Sequence, residues 1–293
     1  GRHDQAIGLD MRPAGEVATL LASAQADAAC AVSDAADAIA AGAGAMAATM
    51  RAGGSLYYAA AGSSGLMAAA DAMELGGTFG INADRIHIIM AGGLPTSAEM
   101  PGDTEDATDA LVDELAGIGT GDVMIAVTAS GSTPFTVEAA KAARAKGATV
   151  IGIANNTAAP LFDLCHHPIH LATPPEILSG STRMGAGTAQ KIALNMLSTL
   201  MALELGHIHD GMMVNLRADN QKLRDRALRM VCSIAGVSDD VAARALAEAG
   251  GAVKPAVLIA VGAESVEEAL KRLEDSGGHV RPALESVRAM TRV

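Results

Sequence analysis

The sequence predicts a doubly wound α/β fold: a flavodoxin-like, five-stranded parallel sheet, with helices ahead of it and a small helical domain behind it. Three observations carry the expectation. Short, continuously apolar runs recur at 55–61, 86–90, 123–128, 149–154 and 169–172. Stretches of helical composition fall between or after them, near 66–75, 106–117, 134–146 and 186–205. The first, third and fifth runs lead to Gly- and Ser-rich turns that open a helix. A strand without a polar face is covered on both sides, as in a parallel sheet. Five such strands joined by right-handed crossovers carry helices on both faces.

Residues 1–50 are Ala-rich and hold no proline after Pro13. Good helix formers dominate from Gly15 to Met50, so one or two helices are expected, with a break around Ala41-Gly42-Ala43-Gly44. The alternating strands and helices then place a sheet domain at 51–215. Beyond Arg217 the strands mostly stop. Residues 220–250 and 264–290 read as charged amphipathic helices, most clearly 221–236 and 266–275, so 216–293 is expected to be a helical domain.

Half of the chain is hydrophobic, yet only 2% is aromatic and there is no Trp. The apolar mass is Ala, Val, Ile, Leu and Met, whose modest size lets helices approach a sheet closely. A net charge of −12 argues against non-specific binding to nucleic acid or anionic membrane. No run of about 18 apolar residues lacks a charge or turn signal, so no span is expected. The start, Gly1-Arg2-His3-Asp4-Gln5, has no charged-then-apolar-then-small pattern of a signal peptide. Cys30, Cys165 and Cys232 are far apart and odd in number, which suits reduced thiols in the cytoplasm.

In an open α/β sheet, ligands bind beyond the carboxyl ends of the strands. Three turns stand at such ends: Gly62-Ser63-Ser64-Gly65, Ser130-Gly131-Ser132-Thr133-Pro134 and Ser179-Gly180-Ser181-Thr182-Arg183. Each pairs glycine, which lets backbone N–H groups approach a ligand, with hydroxyls, above a helix N-terminus. One such turn alone is better explained by helix capping. Three together point to an anion cradle. Competing motifs fail. Leu66 stands where G-x-S-x-G needs its closing glycine, and there is neither a Walker A lysine nor a G-x-G-x-x-G after a strand. Cys165, His166, His167 and His170 lack a second ligand pair, so no metal site is expected there. Glu74 lies in an otherwise apolar stretch, which would raise its pKa as suits a general acid. Glu105 and Asp106 follow a Gly/Pro-rich loop on the ligand side, where a more solvated carboxyl stays ionised and suits a base.

The segments 61–80 (AGSSGLMAAADAMELGGTFG), 129–135 (ASGSTPF), 175–191 (PEILSGSTRMGAGTAQK) and 195–199 (NMLST) resemble the sugar isomerase (SIS) domain. More narrowly, they resemble N-acetylmuramic acid 6-phosphate etherases, and the similarity extends through Asn220-Gln221-Lys222-Leu223 and Gly277-Gly278-His279-Val280-Arg281. The resemblance implies a cytoplasmic homodimer, with no metal or organic cofactor. Its substrate is a sugar phosphate whose D-lactyl ether is cleaved by elimination and hydration, giving N-acetylglucosamine 6-phosphate and lactate. On the matching positions it implies Glu74 as general acid and Glu105 as base. Ser63, Ser64, Ser130, Ser132 and Thr133 fall on phosphate-binding positions. Ser181, Thr182 and Arg183 fall on an element near the sugar.

Three positions that are cationic in the family's usual pattern are neutral here: Leu66, Ser132 and Gly185. In addition, Leu75-Gly76-Gly77 replaces a segment that carries Pro-Pro in the family. A lost charge-assisted hydrogen bond costs roughly 1.5–3 kcal/mol. Either other cations take over, such as Arg183 or one from a partner subunit, or the substrate carries less negative charge. Two further readings of the same fold are an aldose–ketose sugar-phosphate isomerase and a non-catalytic sugar-phosphate sensor. Retention of both glutamates argues against the sensor, and an isomerase would also need a group to open the ring and shuttle protons between C1 and C2.

Overall fold

The computed structural model describes residues 3–100 and 104–291. The first two residues of the stretch read for a leader, and the end of the Gly/Pro-rich loop before Glu105, lie outside the described residues. The chain forms two compact units, Gly1–Met73 with Asp84–Leu200, and Glu74–Ala83 with Met201–Val293.

The first unit opens with α1 (Ala14–Cys30) and α2 (Ala36–Arg51). The alternation follows: β1 (Leu56–Ala60), α3 (Gly62–Phe79), β2 (Ile86–Met90), α4 (Leu111–Glu114), β3 (Val123–Thr128), α5 (Pro134–Ala145), β4 (Thr149–Ala154), β5 (His167–His170) and α6 (Gly185–Glu204). All five strands are parallel, in the order β2-β1-β3-β4-β5. This is the doubly wound, flavodoxin-like arrangement that the sequence predicts. Tyr57, Ala59, Met124, Ala126 and Val150 share one sheet face with Phe135, Ala139 and Ala143 of α5. Their neighbours along the strands point to the opposite face. There a Cβ on Gly42 of α2 would stand 3.0 Å from Leu197 of α6 and 3.5 Å from Ile151 of β4.

That close approach explains a departure from expectation. The predicted helix break at Ala41–Gly44 is absent, and α2 runs unbroken through both glycines. Gly42 is a packing residue, and the chain turns instead through a short 3-10 segment at Ser33–Ala35. The helix expected at 106–117 shrinks to the four residues of α4. Asp106, Thr108 and Asp109 bond readily to local backbone in turns and start helices poorly in mid-run. The fifth strand begins earlier than its apolar run, at His167, and tolerates Pro168 because β5 is an edge strand.

The second unit contains a two-stranded hairpin, β6 (Ile208–His209) with β7 (Met212–Met213), and five helices. Asp210 and Gly211 both take positive φ, 47° and 75°, as the two-residue hairpin turn requires. The helices are α7 (Gln221–Ala235), α8 (Asp239–Glu248), α9 (Val253–Ala260), α10 (Val266–Asp275) and α11 (Val280–Thr291). Asn220 caps α7 through Leu223 N, and Ser265 caps α10 through Glu268 N. Met230, Val231, Val257, Leu258 and Leu273 are among the residues that fill their common core.

Candidate active site

The strand order reverses direction between β1 and β3, so the crevice beyond their carboxyl ends is the expected ligand position. The registers Ala60↔Val127 and Thr128↔Ala154 bring the segments after β1, β3 and β4 to one edge.

After β1 there is no separate turn. Gly62 is already the first residue of α3, with φ +53°, and Gly65 N donates to Ala61 O at 3.0 Å. Ser63 and Ser64 therefore occupy the first helical turn, Ser63 half-buried and Ser64 buried. The exposed Glu105 comes to this point from the loop after β2. An ideal Cβ on Gly62 would lie 2.7 Å from Glu105 Oε1. The backbone oxygen of Glu105 accepts from Phe135 N at 3.0 Å, in the first turn of α5. One residue thus touches the starts of both helices that flank the crevice.

After β3 the hydroxyls form a cluster. Thr128 shares a 2.8 Å hydrogen bond with Thr133 and a 3.3 Å one with Ser130, whose Oγ also accepts from the backbone N and the hydroxyl of Ser132 at 3.2 Å. Thr133 is the N-cap residue of α5, yet its side chain makes no capping bond. The hydroxyl is committed to the cluster, so capping does not account for it. Gly131 takes φ +78°, and a Cβ there would overlap Ala159.

The third turn differs. The carboxylate of Glu176 accepts from Gly185 N and Ala186 N, both at 2.9 Å, and so occupies the N-terminus of α6. A cavity of about 280 Å³ lies in front of it. Ser130, Asn155, Asn156, Thr173, Glu176 and Thr182 supply its polar wall. Of the third turn's predicted residues Thr182 lines this cavity, while Ser181 is half-buried and Arg183 is exposed. Gln190, fully buried, donates to Asn155 Oδ1 at 3.0 Å, and Asn155 Nδ2 donates to Thr173 Oγ1 at 3.2 Å. Gln190 Oε1 has no partner among the described residues. A buried unsatisfied acceptor costs about 1–3 kcal/mol.

Glu74 stands on α3 with its side chain exposed, at the start of the second unit. Its apolar sequence neighbours do not enclose it, because adjacent residues on a helix face different ways. One turn earlier, buried Asp71 accepts from Tyr58 OH at 3.2 Å and from Asn195 Nδ2 and Ser198 Oγ at 2.9 Å. These bonds lock α3 against β1 and α6. Burial first, and then the Asp71 charge, hold the Tyr58 phenol well above its usual pKa, so it stays a donor.

Thr128, Asn155, Thr173, Glu176 and Asp71 carry no strong signal in a single sequence, although Asn155-Asn156 directly follow a strand and so obey the strand-end rule. The Cys165–His170 group is dispersed. Cys165 Sγ donates to Leu161 O, His166 Nδ1 accepts from Val150 N, and His170 packs edge-on to Phe162. Among the described residues no cluster of three or more His, Cys, Asp or Glu could hold a metal ion. No helix among them is long and apolar enough to cross a membrane.

The SIS domain family matches residues 21–155. An N-acetylmuramic acid 6-phosphate etherase of Deinococcus radiodurans is 45% identical over 235 residues, covering 79% of this chain and 77% of that one. The etherase of Streptomyces avermitilis is 38% identical over 94% of this chain and 89% of its own. That of Rubrobacter xylanophilus is 38% identical over 97% and 94%. With this similarity over most of its length, the chain belongs to the N-acetylmuramic acid 6-phosphate etherase family of SIS-domain proteins.

Proposed function

We propose that this protein is a carbon–oxygen lyase that removes the D-lactyl group of N-acetylmuramic acid 6-phosphate, giving N-acetylglucosamine 6-phosphate and lactate. The observation that carries the reading is Glu105, an exposed carboxylate beside the starts of both α3 and α5. The phosphate rests on Ser63 and Ser64 of α3 and on Ser130, Ser132 and Thr133 before α5. Two helix N-termini and the hydroxyl cluster favour an anion there. Ser181, Thr182 and Arg183 bound the sugar side.

Glu105 takes the proton from C2, which is acidic next to the C1 carbonyl of the open-chain sugar. The C2–H electrons form the C2=C3 bond as the C3–O bond breaks, and Glu74 protonates the departing lactate oxygen. Water then adds across the double bond, hydroxyl to C3 and proton to C2.

The protein works in the cytoplasm as a homodimer. Free Cys30, Cys165 and Cys232 suit a reducing compartment. Leu66, Ala70 and Met73 form an exposed apolar stripe at i, i+4, i+7 on α3, which suits pairing with a second copy. The decisive experiment incubates purified protein with N-acetylmuramic acid 6-phosphate and follows lactate by a coupled assay. Stoichiometric lactate and N-acetylglucosamine 6-phosphate are expected; no lactate at high enzyme concentration sinks the reading.

A further inference from the structure

We propose that the cavity at the carboxyl ends of β4 and β5 is the seat of the sugar's acetamido group, read by Thr173 as donor and Glu176 as acceptor. The identity of the sugar rests on the function proposed above; the polarity of the cavity does not.

The direction of each hydrogen bond is set by the buried chain behind the wall. Gln190 occupies Asn155 Oδ1, which turns Asn155 Nδ2 toward Thr173 Oγ1. The Thr173 oxygen is therefore an acceptor toward Asn155, and its own proton is left to donate into the cavity. Each oxygen of Glu176 accepts one backbone N–H and keeps a further lone-pair site. Within that wall, Thr173 and Glu176 thus set one donor beside one anionic acceptor.

Glu176 already takes up the N–H groups of Gly185 and Ala186, so this helix start has none of them left for a phosphate or for the lactyl carboxylate, and the cavity takes a neutral part of the ligand. Its volume of about 280 Å³ has room for an acetamido group together with part of the ring. An acetamido group matches the pattern. Its N–H meets Glu176, its carbonyl meets Thr173, and its methyl meets Ala129, Pro174, Pro175 and Ala186, which form the apolar part of the lining. A hydroxyl could satisfy both polar groups, but it leaves that apolar wall uncovered.

Calorimetric titration of the full chain with N-acetylglucosamine 6-phosphate and with glucose 6-phosphate tests the assignment without relying on turnover. The wild type is expected to prefer the N-acetyl sugar by about tenfold or more, a difference typical of one good hydrogen bond plus methyl burial. Thr173→Val and Glu176→Gln are each expected to bring the two affinities within about threefold. Glu176 also caps α6, so its variant is read only alongside its urea midpoint; Thr173→Val leaves the cap intact. Persistence of the preference in Thr173→Val, or in Glu176→Gln at an unchanged midpoint, overturns the assignment. Loss of preference in a protein that releases no lactate would uphold the acetamido seat and reject the etherase reading. Lactate release with preference intact in both variants would do the reverse.

Discussion

The carboxylate of Glu105 rests against Gly62, so closely that an ideal Cβ on Gly62 would stand 2.7 Å from Glu105 Oε1. Gly62 also has φ +53°, a left-handed conformation. The backbone thus demands glycine, and a Cβ there would also displace the exposed Glu105 side chain. Gly62→Ala is expected to lose about 1–2 kcal/mol of stability in urea unfolding, from the backbone alone. It also pushes Glu105 aside, and a misplaced catalytic group costs about a hundredfold in kcat. A variant that loses stability but keeps full lactate release would show that the Gly62–Glu105 contact has no catalytic bearing.

Glu105 and Glu74 should be separable by isotope exchange. Glu105→Gln is expected to slow lactate release by about 10²–10⁴ and to abolish deuterium exchange at C2 in heavy water. Glu74→Gln is expected to slow release to a similar degree while C2 exchange continues, since the proton at C2 still has its base. Both residues are exposed, so thermal midpoints should move little. Loss of exchange in both variants, or in neither, contradicts the division of roles.

Asp71 is expected to matter through structure rather than contact. Asp71→Asn removes the charge and replaces one of two acceptor oxygens by N–H₂, which faces either the donor Tyr58 OH or the donors Asn195 Nδ2 and Ser198 Oγ. The expected loss is about 1.5–3 kcal/mol in urea unfolding, the range for hydrogen bonds to a charged group. Unchanged stability would mean that the network is already satisfied without the charge.

The second unit carries its own pH dependence. Burial chiefly, with the Lys254 charge second, lowers the His207 pKa from 6.5 to about 4. Burial lowers that of Lys254, which donates to Gly278 O at 3.0 Å, from 10.5 to about 8. Between the folded and ordinary values the unfolded chain holds a proton that the native state does not, so stability rises with pH in each window. Unfolding free energy should climb from about pH 4 to 6.5, and again from about 8 to 10.5. His207→Asn should flatten the lower rise and Lys254→Met the upper. Unaltered slopes in these variants would assign the pH dependence elsewhere.

Leu66 and Met73 are 37% and 66% exposed on one stripe of α3. If two copies pair there, replacing both by Asp should convert dimer to monomer in light scattering. A wild type that is monomeric throughout the micromolar range removes the homodimer from the proposal.

By itself, the sequence determined the α/β class, the five strands and their parallel pairing. Continuous apolar runs such as Val123–Thr128 have nowhere to go but a sheet covered on both faces. It also pointed to hydroxyl turns at strand ends, and the motifs around Ser130 and Thr182 were enough to place the family. What it left open depends on neighbours distant along the chain. Gly42 reads as a helix breaker until Leu197 and Ile151 are seen against it. Glu74 reads as buried by its apolar neighbours, yet helical geometry turns it outward. Glu176, separated from Gly185 and Ala186 in sequence, becomes a helix cap and a cavity wall only once the chain has folded back. Whether a hydroxyl or carboxylate caps, binds or reacts depends on which N–H groups and charges reach it. Those are long-range contacts, so only the tertiary structure decides them.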